Sequence, residues 1–161
     1  MTSMNIRRVP FDHPDALKLN DQVQAEYSVR YGDEGDATYL APEMFKPPVG
    51  LYLIAYDDQD RPVATGGWRT QNLNDEGYLD GDAELKRMYV IEELRGRGLA
   101  RRILAALEED ARAAGRTRMV LETGTKQPEA VALYASSGYE PCAKFGYYRL
   151  YETSLCYAKQ L

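Results

Sequence analysis

The segment Arg95–Ala100, which reads Arg-Gly-Arg-Gly-Leu-Ala, is the part of the sequence best suited to bind an anion. Its two glycines lack side chains that would keep a ligand away from the backbone. A helix that began at Leu99 would add free N–H groups and the positive end of its dipole. Four positive charges fall within eight residues of a chain whose net charge is −5: Arg95, Arg97, Arg101 and Arg102. This pattern favours a diphosphate ligand, and the alternative is a solvated helix start whose glycines serve only the turn.

The residues on either side of this segment predict a strand that leads into it and a helix that leaves it. Glu84–Val90 reads as a strand, and Leu99–Ala114 reads as a helix with an apolar face. Gly32–Gly50 has no regular period and predicts a long loop that could line a substrate entrance. The first helix is predicted at Pro14–Tyr31, with Leu17, Val23, Tyr27 and Tyr31 near helical spacing. The other predicted elements are a strand at Asn5–Val9, a hairpin of Leu51–Tyr56 with Val63–Thr70, a strand at Met119–Thr123, a helix at Pro128–Ser137 and a final strand pair, Tyr139–Pro141 with Ser154–Lys159.

Length and composition indicate one folded domain over residues 1–161. Hydrophobic residues make up 44% of the chain and charged residues 28%, a balance typical of globular proteins. No apolar run approaches the roughly 18 residues that a membrane helix needs, and the first ten residues lack the apolar centre of a signal peptide. The net charge of −5 argues against nucleic-acid binding, because such binding neutralises phosphates with lysine and arginine. We therefore expect a cytoplasmic protein with neither a membrane nor a nucleic-acid partner.

The scarcity of cysteine and histidine disfavours several kinds of catalytic site. Cys142 and Cys156 are too few for a disulfide framework and have no CxxC spacing, so we expect structural, reduced thiols. His13 is the only histidine, which argues against a metal site and makes Ser-His or Cys-His catalysis depend on one residue. The chain also lacks a Walker lysine motif and a GxGxxG fingerprint. Nucleoside triphosphates and nicotinamide cofactors are therefore disfavoured.

Two blocks of the sequence resemble the GNAT superfamily of N-acetyltransferases. Arg95–Ala100 is similar to the signature (Gln/Arg)-x-x-Gly-x-(Gly/Ala), in the expected place between a strand and a helix. Gln127–Tyr134, followed by Gly138 and Tyr139, is similar to a second block in which Asn-x-x-Ala-x-x-x-Tyr leads into Gly-(Phe/Tyr). The resemblance covers Glu84 to Tyr139, and Gln127 in place of Asn is a departure from it.

The resemblance implies a fold, a cofactor and a cofactor site. The fold would be α/β (α+β): a mixed, mostly antiparallel sheet of six or seven strands, flanked by helices and splayed between Met88–Val90 and the strand at Met119. Acetyl-CoA would enter that split, with its pantetheine arm on the backbone of the first strand and its pyrophosphate on the amides from Arg95 to Arg101. The implied cofactor-binding residues are Met88, Tyr89, Val90, Arg95, Gly96, Arg97, Gly98, Leu99, Ala100, Arg101, Gln127 and Tyr134.

Two residues occupy positions at which the superfamily carries catalytic groups. Glu84 lies eleven residues before Arg95, where several members have a glutamate base, and it would take a proton from the acceptor ammonium. The alternative is a structural strand glutamate paired with Lys86 or Arg87. Tyr134 matches a tyrosine near the coenzyme A sulfur and would protonate the departing thiolate, or else only orient the cofactor.

For the acceptor, the resemblance implies a primary amine of a small molecule or peptide, attacked directly in a ternary complex. Residues of the first helix and the third strand usually border that site in the superfamily, although each could be purely structural. The candidates in this sequence are Tyr27, Tyr31, Trp68 and Arg69. Small amines or amino acids are favoured over large proteins, because no docking element is visible. A homodimer is one option for the oligomeric state.

Two other functions fit parts of this pattern. A degenerate domain that binds coenzyme A as a sensor, without catalysis, would keep the same anion-binding segment. A different anion-binding module, such as a phosphopeptide or nucleotide binder, would need only the arginines and the helix start. Competition by free coenzyme A would separate these two alternatives.

Overall fold

The computed structural model describes residues 4–32 and 35–161. Within these residues, seven strands form one sheet in the order β1-β2-β3-β4-β5-β7-β6. All neighbouring strands are antiparallel except β4 and β5, which are parallel. The strands are β1 (Asn5–Arg8), β2 (Gly50–Tyr56), β3 (Pro62–Gln71), β4 (Asp82–Val90), β5 (Arg118–Gly124), β6 (Glu140–Pro141) and β7 (Ser154–Gln160). This confirms the predicted mixed, mostly antiparallel sheet.

Helices cover the sheet, and their ends follow local sequence signals. The helices are α1 (Pro14–Tyr31), α2 (Leu99–Ala113) and α3 (Pro128–Ser136), with single 3₁₀ turns at Pro42–Phe45 and Glu92–Leu94. At the start of α1, Nδ1 of His13 accepts a hydrogen bond from the Asp15 amide at 3.0 Å. Gly32 ends the helix with a φ of 71°, a left-handed conformation that glycine adopts without steric cost. The predicted bounds of α1 are therefore confirmed.

The buried faces of the two long helices differ in how well the sequence predicted them. Along α2, the predicted apolar face is confirmed, and all four of its residues are buried: Leu99, Ile103, Leu107 and Ala111. Along α1, the buried residues are Ala16, Leu19 and Val23. Leu17, which near-helical spacing had placed on that face, is 52% exposed, so that assignment is wrong.

The predicted loop Gly32–Gly50 contains one short helical element, and its residues 33 and 34 lie outside the described residues. Its 3₁₀ turn, Pro42–Phe45, buries Phe45, whose ring stacks on Phe11 with centroids 4.5 Å apart. A Cβ on Gly50, where β2 begins, would lie 2.1 Å from the Met44 carbonyl oxygen. Glycine is therefore needed for the turn to pack against the strand.

The sheet opens between its two parallel strands. β4 pairs with β5 only over Asp82–Glu84, opposite Arg118–Val120. Two β4 residues, Arg87 and Met88, then lie opposite the single residue Gly66 of β3, which is a β-bulge. The bulge bends β4 away from β5, while β5 stays paired with β7 as far as Gly124. The predicted split of the sheet is thus confirmed, and the bulge is its local cause.

Candidate active site

The split between β4 and β5 contains two adjoining cavities. The larger, with about 1470 Å³ of space including its open mouth, lies beside the segment Arg95–Ala100. The smaller, with about 950 Å³, lies between α1, β4, β5 and the start of β7. Four residues line both cavities: Met88, Gln127, Ala130 and Tyr134. The two cavities therefore adjoin each other and together form the candidate cleft, with Tyr134 on the wall of both.

The start of α2 is open to an anion. Gly96 and Gly98 both have a φ of 80°, and a Cβ on either would meet no atom within 4 Å. In the part of the chain that the structure describes, no side chain caps the helix, and the first turn of the helix carries no acidic residue. The first N–H groups of α2 therefore point their positive dipole end toward the larger cavity without an internal competitor. This arrangement fits the pyrophosphate of an acyl-CoA.

The arginines of this segment have separate tasks. Arg95 donates from Nε to the Val90 carbonyl at 2.9 Å, and its Nη1 lies 2.9 Å from Glu26 of α1. Arg101 donates to the hydroxyls of Ser137 and Ser136, each at 2.9 Å. Arg97 is exposed and does not line the larger cavity. Positive charge at the cavity mouth thus comes from side chains that also tie α2 to α1 and α3.

The other predicted cofactor-binding residues are brought together along the larger cavity. Those that line it are Met88, Tyr89, Val90, Arg95, Gly96, Gly98, Leu99, Ala100, Arg101, Gln127 and Tyr134. Beyond Glu84, no strand pairs with the edge of β4 that faces the split. Backbone groups on that edge are therefore available to a ligand.

Tyr134 of α3 has an isolated hydroxyl in a mostly buried side chain. The residue is 6% exposed, and its ring packs edge-on against Tyr139 with centroids 5.7 Å apart. Its hydroxyl makes no hydrogen bond to the residues that the structure describes. Burial raises the pKa of Tyr134 above its usual range, so the phenol stays protonated at neutral pH.

Gln127, the departure from the superfamily pattern, binds another cavity residue. Its Nε2 donates to the hydroxyl of Tyr31 at 3.3 Å. A Cβ on Gly124 would overlap that hydroxyl, so a larger residue at the end of β5 would displace the Tyr31 side chain. Burial also raises the pKa of Tyr27, on the same wall, to about 12. The sequence-based assignment of Tyr27 and Tyr31 to a shared cavity agrees with this geometry.

The smaller cavity holds a concentrated set of charges. Glu122 of β5 lines it, and burial raises the pKa of this carboxyl from 4.5 to about 7, against the opposing charge of Lys86. Lys86 of β4 donates to Asp36 at 2.9 Å. Burial raises the pKa of Asp36, but the charges of Lys86 and Arg87 outweigh it and hold that pKa below its usual range. A protonatable carboxyl therefore shares the cavity with an ionised one and two cations.

Glu84, the base predicted from position, is not part of either cavity lining. Its Oε1 accepts from Nε of Arg69 at 2.8 Å and from Gln71 at 3.1 Å. Its Oε2 accepts from the hydroxyl of Tyr78 at 2.8 Å. The expected pairing with Lys86 or Arg87 is wrong, but the arrangement is that of a structural ion pair. The geometry argues against a base role for Glu84.

Trp68 and Arg69 also lie away from the cleft. Trp68 is fully buried and donates from its indole nitrogen to Asp110 of α2 at 2.9 Å, on the helix-covered face of the sheet. Arg69 is held by Glu84 and by the Tyr39 carbonyl at 3.1 Å. Neither lines either of the two cavities described above. Their assignment to the acceptor site is corrected accordingly, because both point to partners within the fold.

Sequence reasoning missed the four charged residues of the smaller cavity: Asp36, Lys86, Arg87 and Glu122. One signal was present for Glu122, which interrupts the apolar run Met119–Leu121 of a buried strand. Arg87 and Asp36 gave no local signal, because they meet only when β4 and the segment after α1 come together.

Within residues 4–32 and 35–161, no helix is long and apolar enough to cross a bilayer. The same residues contain no group of three His, Cys, Asp or Glu side chains placed to hold a metal ion.

Comparisons with other sequences place the chain among bacterial N-acetyltransferases. The uncharacterized N-acetyltransferase YjgM of Escherichia coli (strain K12) is 30% identical over 136 residues, covering 80% of this chain and 77% of that protein. An IAA acetyltransferase of Azospirillum brasilense is 43% identical over 68 residues. That match covers 42% of this chain and 44% of the relative, so it spans less than half of the relative's length.

Solved structures share the fold along nearly the whole chain. A proposed acyl-CoA N-acyltransferase from Klebsiella pneumoniae is 27% identical with a TM-score of 0.77, covering 98% of this chain and 97% of that one. The PaiA N-acetyltransferase of Thermoplasma acidophilum, solved in complex with coenzyme A, is 15% identical with a TM-score of 0.69, covering 99% of each chain. At that identity, the second likeness concerns the fold alone.

The family model described as Acetyltransferase (GNAT) family matches residues 17–139, which include the anion-binding segment, the split strands and Tyr134. The chain therefore belongs to the GNAT acetyltransferase family and is an acyltransferase.

Proposed function

We propose that this chain moves an acetyl group from acetyl-CoA to a primary amine of a small molecule or peptide, by direct attack in a ternary complex. One observation carries the proposal: of two adjoining cavities, one contains the open anion site at the start of α2, the other contains the carboxyl of Glu122, and Tyr134 lines both. Each of these groups suits one requirement of N-acyl transfer. Family membership supports the same reaction.

Acetyl-CoA would supply the activated acyl group, and the larger cavity has the donors to hold it. The free N–H groups at the start of α2 would bind the pyrophosphate. The unpaired edge of β4 around Met88–Val90 would bind the pantetheine arm, and one N–H of that edge would donate to the thioester oxygen. Gln127 lines both cavities and would contact the same arm.

Glu122, in place of Glu84, would be the base for the acceptor amine. Its pKa of about 7 leaves it partly ionised at neutral pH, so it can accept a proton from an ammonium and release it to water. Glu84 has no such freedom, because three side chains already bind its oxygens. This assignment uses the carboxyl that lines the cavity instead of the one that matches by position.

Tyr134 would act on the sulfur. Its hydroxyl has no partner among the described residues and keeps its proton at neutral pH, so it enters the reaction as a hydrogen-bond donor. Its place at the junction of the two cavities puts it beside both donor and acceptor. A phenol there can stabilise and protonate the departing thiolate.

The test is an amine screen with acetyl-CoA that measures free thiol release and detects the acetylated amine by mass spectrometry. We expect at least one primary amine to raise thiol release above the amine-free rate, and Glu122→Gln to suppress that gain. Coenzyme A binding without transfer to any amine would overturn the proposal and favour a coenzyme A sensor. A folded protein that neither binds coenzyme A nor acetylates any amine would exclude both the transferase and the sensor function.

A further inference from the structure

Arg87 presents unused hydrogen-bond donors inside the smaller cavity. Its side chain is 6% exposed and lines that cavity. Its Nε and Nη1 are inaccessible to solvent and have no hydrogen-bond partner among residues 4–32 and 35–161. These two nitrogens carry three of the five N–H donors of a guanidinium. Because buried charged donors are rarely left unpaired in a native protein, these donors indicate a ligand.

The neighbouring carboxylate does not satisfy them. Asp36 lies 3.7 Å from Nη2 of Arg87, which is beyond hydrogen-bond distance. The oxygens of Asp36 are used elsewhere: Oδ2 accepts from Lys86 and Oδ1 from the Thr38 amide, both at 2.9 Å. Asp36 therefore compensates part of the charge of Arg87 and leaves its Nε and Nη1 free.

The backbone at Arg87 is held in a costly conformation. Its φ is 61°, in the left-handed region that non-glycine residues seldom adopt, and it lies in the β-bulge that opens the sheet. Residues with such strained backbone conformations are often found at ligand sites, where the strain allows the side chain to point toward the ligand. At Arg87, the strained residue is also the one with unpaired donors.

We propose that Arg87 is a specificity-determining residue that binds a carboxylate carried by the acceptor, so that the acceptor is an amino-carboxylate such as an amino acid. A carboxylate can accept two parallel hydrogen bonds from Nη1 with Nη2, or from Nε with Nη2. Each unpaired nitrogen therefore forms such a fork together with Nη2, which lies too far from Asp36 for a hydrogen bond. A singly charged carboxylate suits a cavity that already contains Asp36 and Glu122 better than a doubly charged phosphate does. Glu122 would face the ammonium and Arg87 the carboxylate of the same molecule. The inference rests on the proposed function and specifies its substrate class.

The test compares amino-carboxylates with their uncharged amides. The probes are glycine, β-alanine, 4-aminobutanoate and the standard α-amino acids, each beside its carboxamide. We expect one or more acids to be acetylated with a kcat/KM about 10- to 100-fold above that of the matching amide, the factor expected for a charged hydrogen-bond pair. Arg87→Met should bring that ratio close to one, because kcat/KM should fall for the acid and change little for the amide.

Two further variants separate recognition from general effects. Arg87→Lys keeps the charge without the fork and should recover only part of the preference. Lys86→Met removes a neighbouring charge but leaves the guanidinium, so it should keep a preference for the acid. Equal loss for acid and amide in Arg87→Met would show a structural role and overturn the inference.

Binding is measured in parallel, so that the preference for acids over amides can be tested even if no acetyl transfer is detected. The coenzyme A-saturated protein is titrated calorimetrically with the same acids and amides. Acids that bind more tightly than amides, with the difference lost in Arg87→Met, support the inference even without turnover. Amides that bind or react as well as acids overturn it and leave the acetyltransferase proposal standing. In that case, water would satisfy the donors of Arg87.

Discussion

The two ends of the β4–β5 pair contain similar polar residues, but their hydrogen-bonding groups are satisfied at one end and incompletely satisfied at the other. At the closed end, where Asp82–Glu84 pairs with Arg118–Val120, every carboxylate is satisfied within the fold. Asp82 receives two hydrogen bonds from Arg118, both at 2.8 Å. Glu84 is held by Arg69, Gln71 and Tyr78. These groups stabilise the sheet.

At the open end, formed by Leu85–Val90 and Leu121–Gly124, the polar groups are incompletely satisfied. Burial raises the pKa of Glu122. Among the described residues, the buried Nε and Nη1 of Arg87 and the hydroxyl of Tyr134 have no hydrogen-bond partner. Unsatisfied groups cost stability unless a ligand completes them. Residues that stabilise the sheet and residues that line the site are therefore of similar types on these strands. They differ in whether partners within the fold satisfy their hydrogen-bonding groups.

The largest expected effect is on the rate, at the open end. Glu122→Gln should lower kcat/KM by about 10²- to 10⁴-fold, the usual contribution of a general base. In the wild type, the carboxyl is protonated below pH 7 and ionised above it, so kcat/KM should rise with pH through about 7. The variant should lose that rise, and pH–rate profiles measure it. Glu84→Gln is the control, and loss of the rise in that variant alone would return the base role to Glu84.

The next effect is on stability, at the closed end. Glu84→Gln should lower the free energy of unfolding by about 3 kcal/mol, because it leaves the Arg69 guanidinium buried without an opposite charge. Urea unfolding followed by circular dichroism measures this. A stable but inactive Glu84→Gln protein would contradict the division between the two ends.

A smaller effect on the rate is expected at the junction. Tyr134→Phe should reduce kcat by about 10- to 100-fold and leave coenzyme A affinity nearly unchanged, because only the proton donor is removed. Tyr139→Phe is the matched control, since its hydroxyl donates to Glu108 at 2.7 Å outside the cleft. That variant should lose stability and keep kcat. Equal kcat losses in the two variants would show that Tyr134 only packs its ring.

The smallest effect concerns stability and pH at Glu122. Its pKa is about 7 when folded and near 4.5 when unfolded, so between these values the unfolded chain releases the proton more readily. Stability should therefore fall as pH rises from about 4.5 to about 7, and the loss should persist above pH 7. Relative to the wild type, Glu122→Gln should therefore be more stable at pH 8 than at pH 5, by about 2 to 3 kcal/mol for a shift of this size. Equal gains at both pH values in urea unfolding would contradict the raised pKa.

The sequence predicted the fold and the larger cavity well because both depend on local patterns. Strand alternation, helix ends and the segment Arg95–Ala100 each lie within a short stretch of chain. The smaller cavity combines Asp36, two β4 residues, Glu122 and the start of β7, which come together only in the folded sheet. Position alone could not separate Glu84 from Glu122, because their difference lies in which partners surround each carboxyl.

The central claim is that the start of α2 binds the pyrophosphate of an acyl-CoA, and calorimetric titration with coenzyme A and acetyl-CoA tests it most directly. Gly98→Glu places a carboxylate at the proposed anion site, whereas Gly115→Glu adds the same charge at another glycine of positive φ, just beyond the other end of α2. We expect micromolar-range binding, on the order typical of cofactors, by the wild type and Gly115→Glu, and a loss of about 100-fold or more in Gly98→Glu. Unchanged binding in Gly98→Glu, or no binding by the folded wild type, would contradict the account.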